Sequence, residues 1–153
     1  LKGVRLRDLL VLYGKDPDVA SQLATAYDFE HFLKREVNLG FSGGEIKKSE
    51  LLQLLAQSPD LALLDEPESG VDAENLNVIC KMIRKLLEKD LPRNRQKSGL
   101  IITHTGFILN YVTADKGHVM MNGQMYCQGN PLDIFERIQK YGYKECVKCR
   151  LYD

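Results

Sequence analysis

The sequence predicts an α/β fold, with parallel-sheet core strands and helices, a small helical lobe in front and a hairpin towards the C-terminus. Three observations carry this. Two short apolar runs, residues 61–64 (Leu-Ala-Leu-Leu) and 100–103 (Leu-Ile-Ile-Thr), are separated by a stretch whose apolar residues recur at helical spacing. Strand, helix, strand is the order of a parallel sheet. Asn122-Gly123, between residues 118–121 and 124–128, is the strongest two-residue hairpin signal. The first 57 residues, by contrast, carry helical patterns and no convincing strand.

Taken in order, Leu6, Leu9, Leu10 and Tyr13 share one helical face until Gly14-Lys15-Asp16-Pro17 breaks the pattern. A second amphipathic helix is expected over 18–32, with Val19, Leu23 and Tyr27 inward. The loop 37–41 leads to Ser42, which with Glu45 has the Ser-x-x-Glu spacing of a capping box. That helix should run to about Gln57 and stop at Ser58-Pro59-Asp60. Residues 61–64 are expected as a strand buried on both faces. Leu76, Ile79, Met82, Ile83, Leu86 and Leu87 then give a helix over 73–89. A polar loop over 90–98 precedes the second strand. Phe107, Ile108, Tyr111 and Val112 make a short helix, the hairpin follows, and Pro131 opens a last helix reaching about Tyr141. Two parts are expected: a helical lobe with the Ser42 loop and helix over 1–57, and an α/β part with hairpin, helix and tail over 58–153.

The chain has 153 residues, with 21 basic and 21 acidic side chains, so no net field favours nucleic acid or an anionic membrane surface. Arg93, Arg95 and Lys97 lack interleaved aromatics, and no nucleic-acid site is expected. No apolar run approaches the roughly 20 residues needed to span a bilayer. No membrane insertion and a cytoplasmic location are therefore expected. Leu1 is read as an internal position rather than a natural start. Four cysteines, Cys80, Cys127, Cys146 and Cys149, do not form a secreted disulfide scaffold at this size, and reduced thiols are expected. Cys146-Val147-Lys148-Cys149 supplies half of a tetrahedral zinc site at most, so it is either a shared metal or redox site or a pair of inert tail thiols. Packing accounts better for Cys80 and Cys127. His31 has no partner cluster and is expected at the surface.

Chemistry concentrates in three places. Gly43 and Gly44 directly follow an N-cap serine, so backbone N–H groups at the positive end of a helix dipole are open to a phosphate; an ordinary capping box would look the same in isolation. Asp65 and Glu66 end an apolar strand, where ligands of open parallel sheets sit. Magnesium needs a hard oxygen ligand and an attacking water needs an acceptor; Asp65 fits the first role and Glu66 the second. His104 follows the second strand, which should bring its imidazole beside the first strand's end, within reach of a γ-phosphate or the attacking water. Asp72, in Ser69-Gly70-Val71-Asp72, can cap the next helix and also serve a site. No Gly-x-x-x-x-Gly-Lys-Ser/Thr loop occurs: Gly14-Lys15 is followed by Asp16, and Leu9 stands at the first glycine position.

Phe41-Ser42-Gly43-Gly44-Glu45, Leu63-Leu64-Asp65-Glu66 and Thr103-His104, in that order, resemble the signature loop, Walker B strand and switch histidine of ATP-binding cassette ATPases. Gly40 to Lys48, Ser69-Gly70-Val71-Asp72, Leu109-Asn110-Tyr111, Asp115, His118-Val119 and Gly123 extend this to the SufC-type ATPase of iron–sulfur cluster assembly. The similarity covers about residues 35–130. Pro67 and Glu68 are closer to the general cassette than to bacterial SufC, and the Cys-x-x-Cys tail is outside the pattern. The resemblance implies a partial nucleotide-binding domain. It further implies that Ser42, Gly43 and Gly44, with Glu45 completing the motif, contact the γ-phosphate of ATP held by an opposing protomer. On the same basis Asp65 serves Mg2+, Glu66 polarises water, Asp72 communicates across the dimer and His104 holds the γ-phosphate in its own protomer. The family's P-loop and glutamine loop would lie before Leu1, and the chain alone is expected to be inactive. An ATP-dependent homodimer closing on its signature face and driving a SufB/SufD-like scaffold is the implied assembly. A membrane transporter's ATPase subunit uses the same motifs, and a non-catalytic interaction module is the third reading. Retention of both Glu66 and His104 argues against the module.

Overall fold

The computed structural model describes residues 3–143. Cys146 and Cys149 lie outside the described residues. The chain divides into two compact units, one through Thr105 and one from Gly106.

In the first unit, α1 (Leu6–Gly14) and α2 (Pro17–Ala26) pack on each other and on α3 (Gly43–Gln57). Leu6, Leu9 and Leu10 are buried as their spacing requires. The corner between α1 and α2 is tight, because a Cβ at Gly14 would stand 3.0 Å from the Val19 side chain. The expected helix over 18–32 is in fact two pieces. α2 stops at Ala26, Asp28 takes a left-handed φ of 55°, and a 3-10 turn over Glu30–Phe32 follows. Its inward face is also corrected: the small Ala20 and Ala24 are fully buried, while Val19, Leu23 and Tyr27 are half-buried. Short side chains there allow close approach of the neighbouring helices.

Around the 3-10 turn, Phe29, Phe32 and Phe41 form a buried aromatic cluster, with Phe29 stacked on Phe32 at 4.2 Å between ring centroids. Arg35 lies 5.0 Å from the ring centroids of both Phe32 and Phe41, a cation–π contact on each. Its guanidinium also donates to the carbonyls of Leu39 (3.0 Å) and Gly40 (3.1 Å). One side chain thus fixes the loop that delivers Ser42. His31 is exposed as expected, with its ring 4.1 Å from that of Phe32.

α3 is joined to β1 (Leu61–Asp65), then α4 (Ala73–Leu86) and β2 (Ser98–Ile102). β1 and β2 pair in parallel, with Leu63 opposite Leu100 and Asp65 opposite Ile102. The end of α4 covers one face, where the Leu87 side chain fills the space beside Gly99. The expectation of burial on both faces does not hold. Ala62 and Leu64 are buried, but Leu61, Leu63, Leu100 and Ile102 are about half exposed or more, from 49% to 69%. α4 is one turn shorter than expected, closing at Leu87 with Glu88 left-handed.

In the second unit, a 3-10 turn (Phe107–Asn110) precedes β3 (Gly117–Met121) and β4 (Gln124–Gly129), an antiparallel hairpin about Asn122-Gly123 with a bulge between Val119 and Met120. Both central residues have positive φ, as the sequence signal demands. α5 (Pro131–Tyr141) packs on both strands, its first turn capped by the Asn130 side chain.

Candidate functional site

The parallel register brings the carboxyl ends of β1 and β2 side by side. Glu66, one residue past β1, has φ 44°, a left-handed conformation uncommon for glutamate, held by its N–H to the Ile102 carbonyl at 2.9 Å. Its own carbonyl accepts from the Ser69 N–H at 3.0 Å, so the chain turns away from the sheet at once. His104, two residues past β2, places Nε2 2.9 Å from Glu66 Oε1. The pair faces solvent, with side-chain exposures of 76% for His104 and 37% for Glu66. Asp65 is exposed at the strand end beside them.

Beneath this pair lies a second carboxylate. Glu68 is buried, at 8% exposure, and its Oε1 accepts from the Thr103 and Thr105 hydroxyls, the latter at 3.2 Å. Its Oε2 is buried with no hydrogen-bond partner. Burial, and after it the charge of Glu68, push the Cys80 thiol up to about 11, so Cys80 is a neutral packing group.

A separate grouping forms at the start of α3. Ser42 Oγ accepts from the Glu45 N–H at 3.4 Å and Glu45 Oε2 accepts from the Ser42 N–H at 2.6 Å, a complete capping box. The Ser42 backbone bond is the main cause holding the Glu45 carboxyl below its usual range. The N-terminus of α4 adjoins it: a Cβ at Gly43 would lie 3.6 Å from the Gly70 carbonyl, and one at Gly44 3.4 Å from the Asn75 side chain. Asn75 is itself gripped by Asp72, whose Oδ1 caps α4 through the Asn75 N–H (2.9 Å) and whose Oδ2 accepts from Asn75 Nδ2 (2.6 Å). These bonds, the backbone one foremost, lower the Asp72 pKa. Gly43 and Gly44 have helical backbones, and a Cβ at either would make ordinary contact. Neither conformation nor packing calls for glycine there.

The chain is 42% identical over 113 residues to the "Probable ATP-dependent transporter ycf16" of Cyanidium caldarium. It is also 42% identical over 114 residues to the "Probable ABC transporter ATP-binding protein SpyM3_0208" of Streptococcus pyogenes serotype M3. Each match covers 74% of this chain and 42% of the relative, so the chain spans less than half the length of these relatives. These matches make the chain similar to part of an ATP-binding cassette ATPase. Among solved structures, the cassette fold is shared with MJ1267, an ATP-binding cassette of an ABC transporter, in its ADP conformation (TM-score 0.62, 23% identity, covering 87% of this chain and 51% of that one). It is shared too with a chain in the complex of archaeal ribosomal stalk protein aP1 and ribosome recycling factor aABCE1 (TM-score 0.71, 24% identity, covering 98% and 28%). No family model matches the chain.

Of the cassette residues singled out from sequence, the structure brings together Glu66 and His104, with Asp65 alongside, and separately Ser42 to Glu45 with Asp72. Among the described residues no three His, Cys, Asp or Glu side chains converge as a metal centre, so Asp65 offers a cation one carboxylate. Sequence reasoning missed Asn75, Thr105 and the role of Glu68. Asn75 has a local signal, standing three residues after a helix cap. Glu68 has none, since its partners are 35 and 37 positions away.

Proposed function

We propose that this chain is the signature-and-switch portion of a SufC-like ATPase. The observation that carries the hydrolytic part is the 2.9 Å contact between His104 Nε2 and Glu66 Oε1 at the ends of adjacent parallel strands. Glu66 accepts the proton of an attacking water, and His104, hydrogen-bonded to it, orients that carboxylate and donates towards a γ-phosphate oxygen. A single hard carboxylate suits Mg2+, which retains waters and binds substrate phosphates, so Asp65 would hold it. The ion would neutralise phosphate charge. Ser42, Gly43 and Gly44 present a helix N-terminus to the γ-phosphate of ATP on an opposing protomer, and Glu45 supports them by completing the cap. Asp72 lies beside that contact and links it to α4.

The SufC-like client, a SufB/SufD-like scaffold, is supported by the Gly40–Lys48 and Leu109–Tyr111 sequence match. A transporter ATPase subunit is the second reading, favoured by the names of both relatives. Affinity purification of the whole protein separates them: recovery with soluble scaffold subunits supports the first, and with a membrane-embedded subunit the second. The ATPase reading has its own test. In the whole protein, Glu66→Gln should retain ATP binding and lower turnover by about 100-fold, the scale of a lost general base. Unchanged turnover refutes the role.

A further inference from the structure

We propose that Glu68 is a positioning residue that sets the geometry of the Glu66–His104 pair, by anchoring both flanks of His104 through one carboxylate oxygen. The proposal rests on the reading of that pair given above. Thr103 and Thr105 bracket His104, and both hydroxyls donate to the same atom, Glu68 Oε1. Glu68 itself stands two residues after Glu66, on the turn closed by the Ser69 N–H to Glu66 carbonyl bond. The connection therefore runs from the turn bearing Glu66, through Glu68, to the segment on either side of His104.

Packing gives no reason for a carboxylate at this place. The side chain is 8% exposed and its second oxygen is buried without a hydrogen-bond partner, an arrangement that lowers stability. A leucine of similar size would fill the space without an orphaned oxygen. What a carboxylate supplies is one acceptor with lone pairs for two hydroxyl donors. The need is local, because residues 103–106 are outside any helix or strand. Where the His104 imidazole meets Glu66 depends in part on the backbone that carries it. Anchoring residues 103 and 105 fixes that backbone at two points. Acceptor geometry, rather than charge, is then the property that matters, and Glu68→Gln, which keeps an oxygen where Oε1 stands, should preserve function.

The test uses the whole protein with four changes: Glu68→Leu, Glu68→Gln, Glu66→Gln, and Thr103→Val combined with Thr105→Val. The readouts are melting temperature, the 15N shifts of the His104 imidazole without nucleotide, and kcat and KM for Mg-ATP. In the parent and in Glu68→Gln, adding Glu66→Gln should move the His104 shifts. In Glu68→Leu and in the double valine variant that response should vanish, with kcat about 10- to 100-fold lower and KM within about twofold, the pattern of a misplaced reacting group. The double valine change is isosteric and decides the matter should Glu68→Leu not fold. Folded Leu or double valine variants with parental His104 shifts and kcat would overturn the proposal, as would a Glu68→Gln variant as impaired as Glu68→Leu. If Glu66→Gln alone leaves kcat unchanged, the ATPase reading of the pair fails, and the His104 shifts in the same samples still decide what Glu68 does.

Discussion

At the scale of single residues, the carboxylates of the two helix starts are tuned by hydrogen bonds to backbone N–H groups rather than by burial. Glu45 is lowered chiefly by the Ser42 N–H; burial opposes this and comes next in size, ahead of the lowering by the Ser42 hydroxyl and by the charges of Arg35 and His31. A carboxyl whose folded pKa is depressed contributes stability that is complete above its unfolded value and is lost as pH falls through the folded value. The Glu45 contribution should therefore be intact at neutral pH and disappear on acidification below the ordinary carboxylate range. Glu45→Gln can still close the capping box but cannot titrate. Thermal melts of parent and variant from neutral to strongly acidic pH should show a parental advantage that shrinks to nothing; an advantage independent of pH would contradict the assignment. Cys80 is tuned the other way, by burial and the nearby Glu68 charge.

At the scale of elements, the paired N-termini of α3 and α4 separate stability from function. Gly43 and Gly44 sit in helical backbone with room for a methyl group, so Gly43→Ala and Gly44→Ala should hold or raise stability, by up to about 1 kcal/mol for glycine to alanine in a helix. If the glycines admit a phosphate, the same variants should lose ATP-driven dimer closure in the whole protein. Gly106 is the control. Its φ is 67° and the Phe135 ring stands 2.2 Å from where a Cβ would be, so Gly106→Ala should destabilise by about 1–3 kcal/mol. Circular-dichroism melts and sedimentation with nucleotide check both halves.

The same elements show what a sequence can reveal. α3 and the hairpin were legible because Ser42-x-x-Glu45 and Asn122-Gly123 state their geometry within four residues. The break after Ala26 was not, because Asp28 turns the chain without glycine or proline. Residues 61–64 are equally apolar whether one sheet face is covered or two, so the bare face could not be read. The Glu66–His104 meeting followed from strand order, whereas Asn75 against Gly44 and Glu68 beneath Thr103 and Thr105 depend on how separate elements pack.

At the scale of the whole molecule, the chain combines the proposed switch pair and signature helix with no Gly-x-x-x-x-Gly-Lys phosphate cradle in its sequence. Such a cradle contributes charge-assisted bonds of roughly 1.5–3 kcal/mol each. Calorimetric titration of the 153-residue chain with Mg-ATP should accordingly show binding weaker than micromolar; micromolar affinity would place the phosphate site elsewhere. The one-sided sheet has a consequence of a different kind. Leu61, Leu63, Leu100 and Ile102 form an exposed aliphatic row, on a sheet that has two strands among the described residues. Open strand edges and an uncovered apolar face are the ingredients of uncontrolled self-association. The chain in isolation should behave as a poor colloid, with an average mass in sedimentation that climbs with concentration. A single lysine in place of Leu63 should flatten that climb, because a charge in the middle of the row makes stacking one sheet face on another costly.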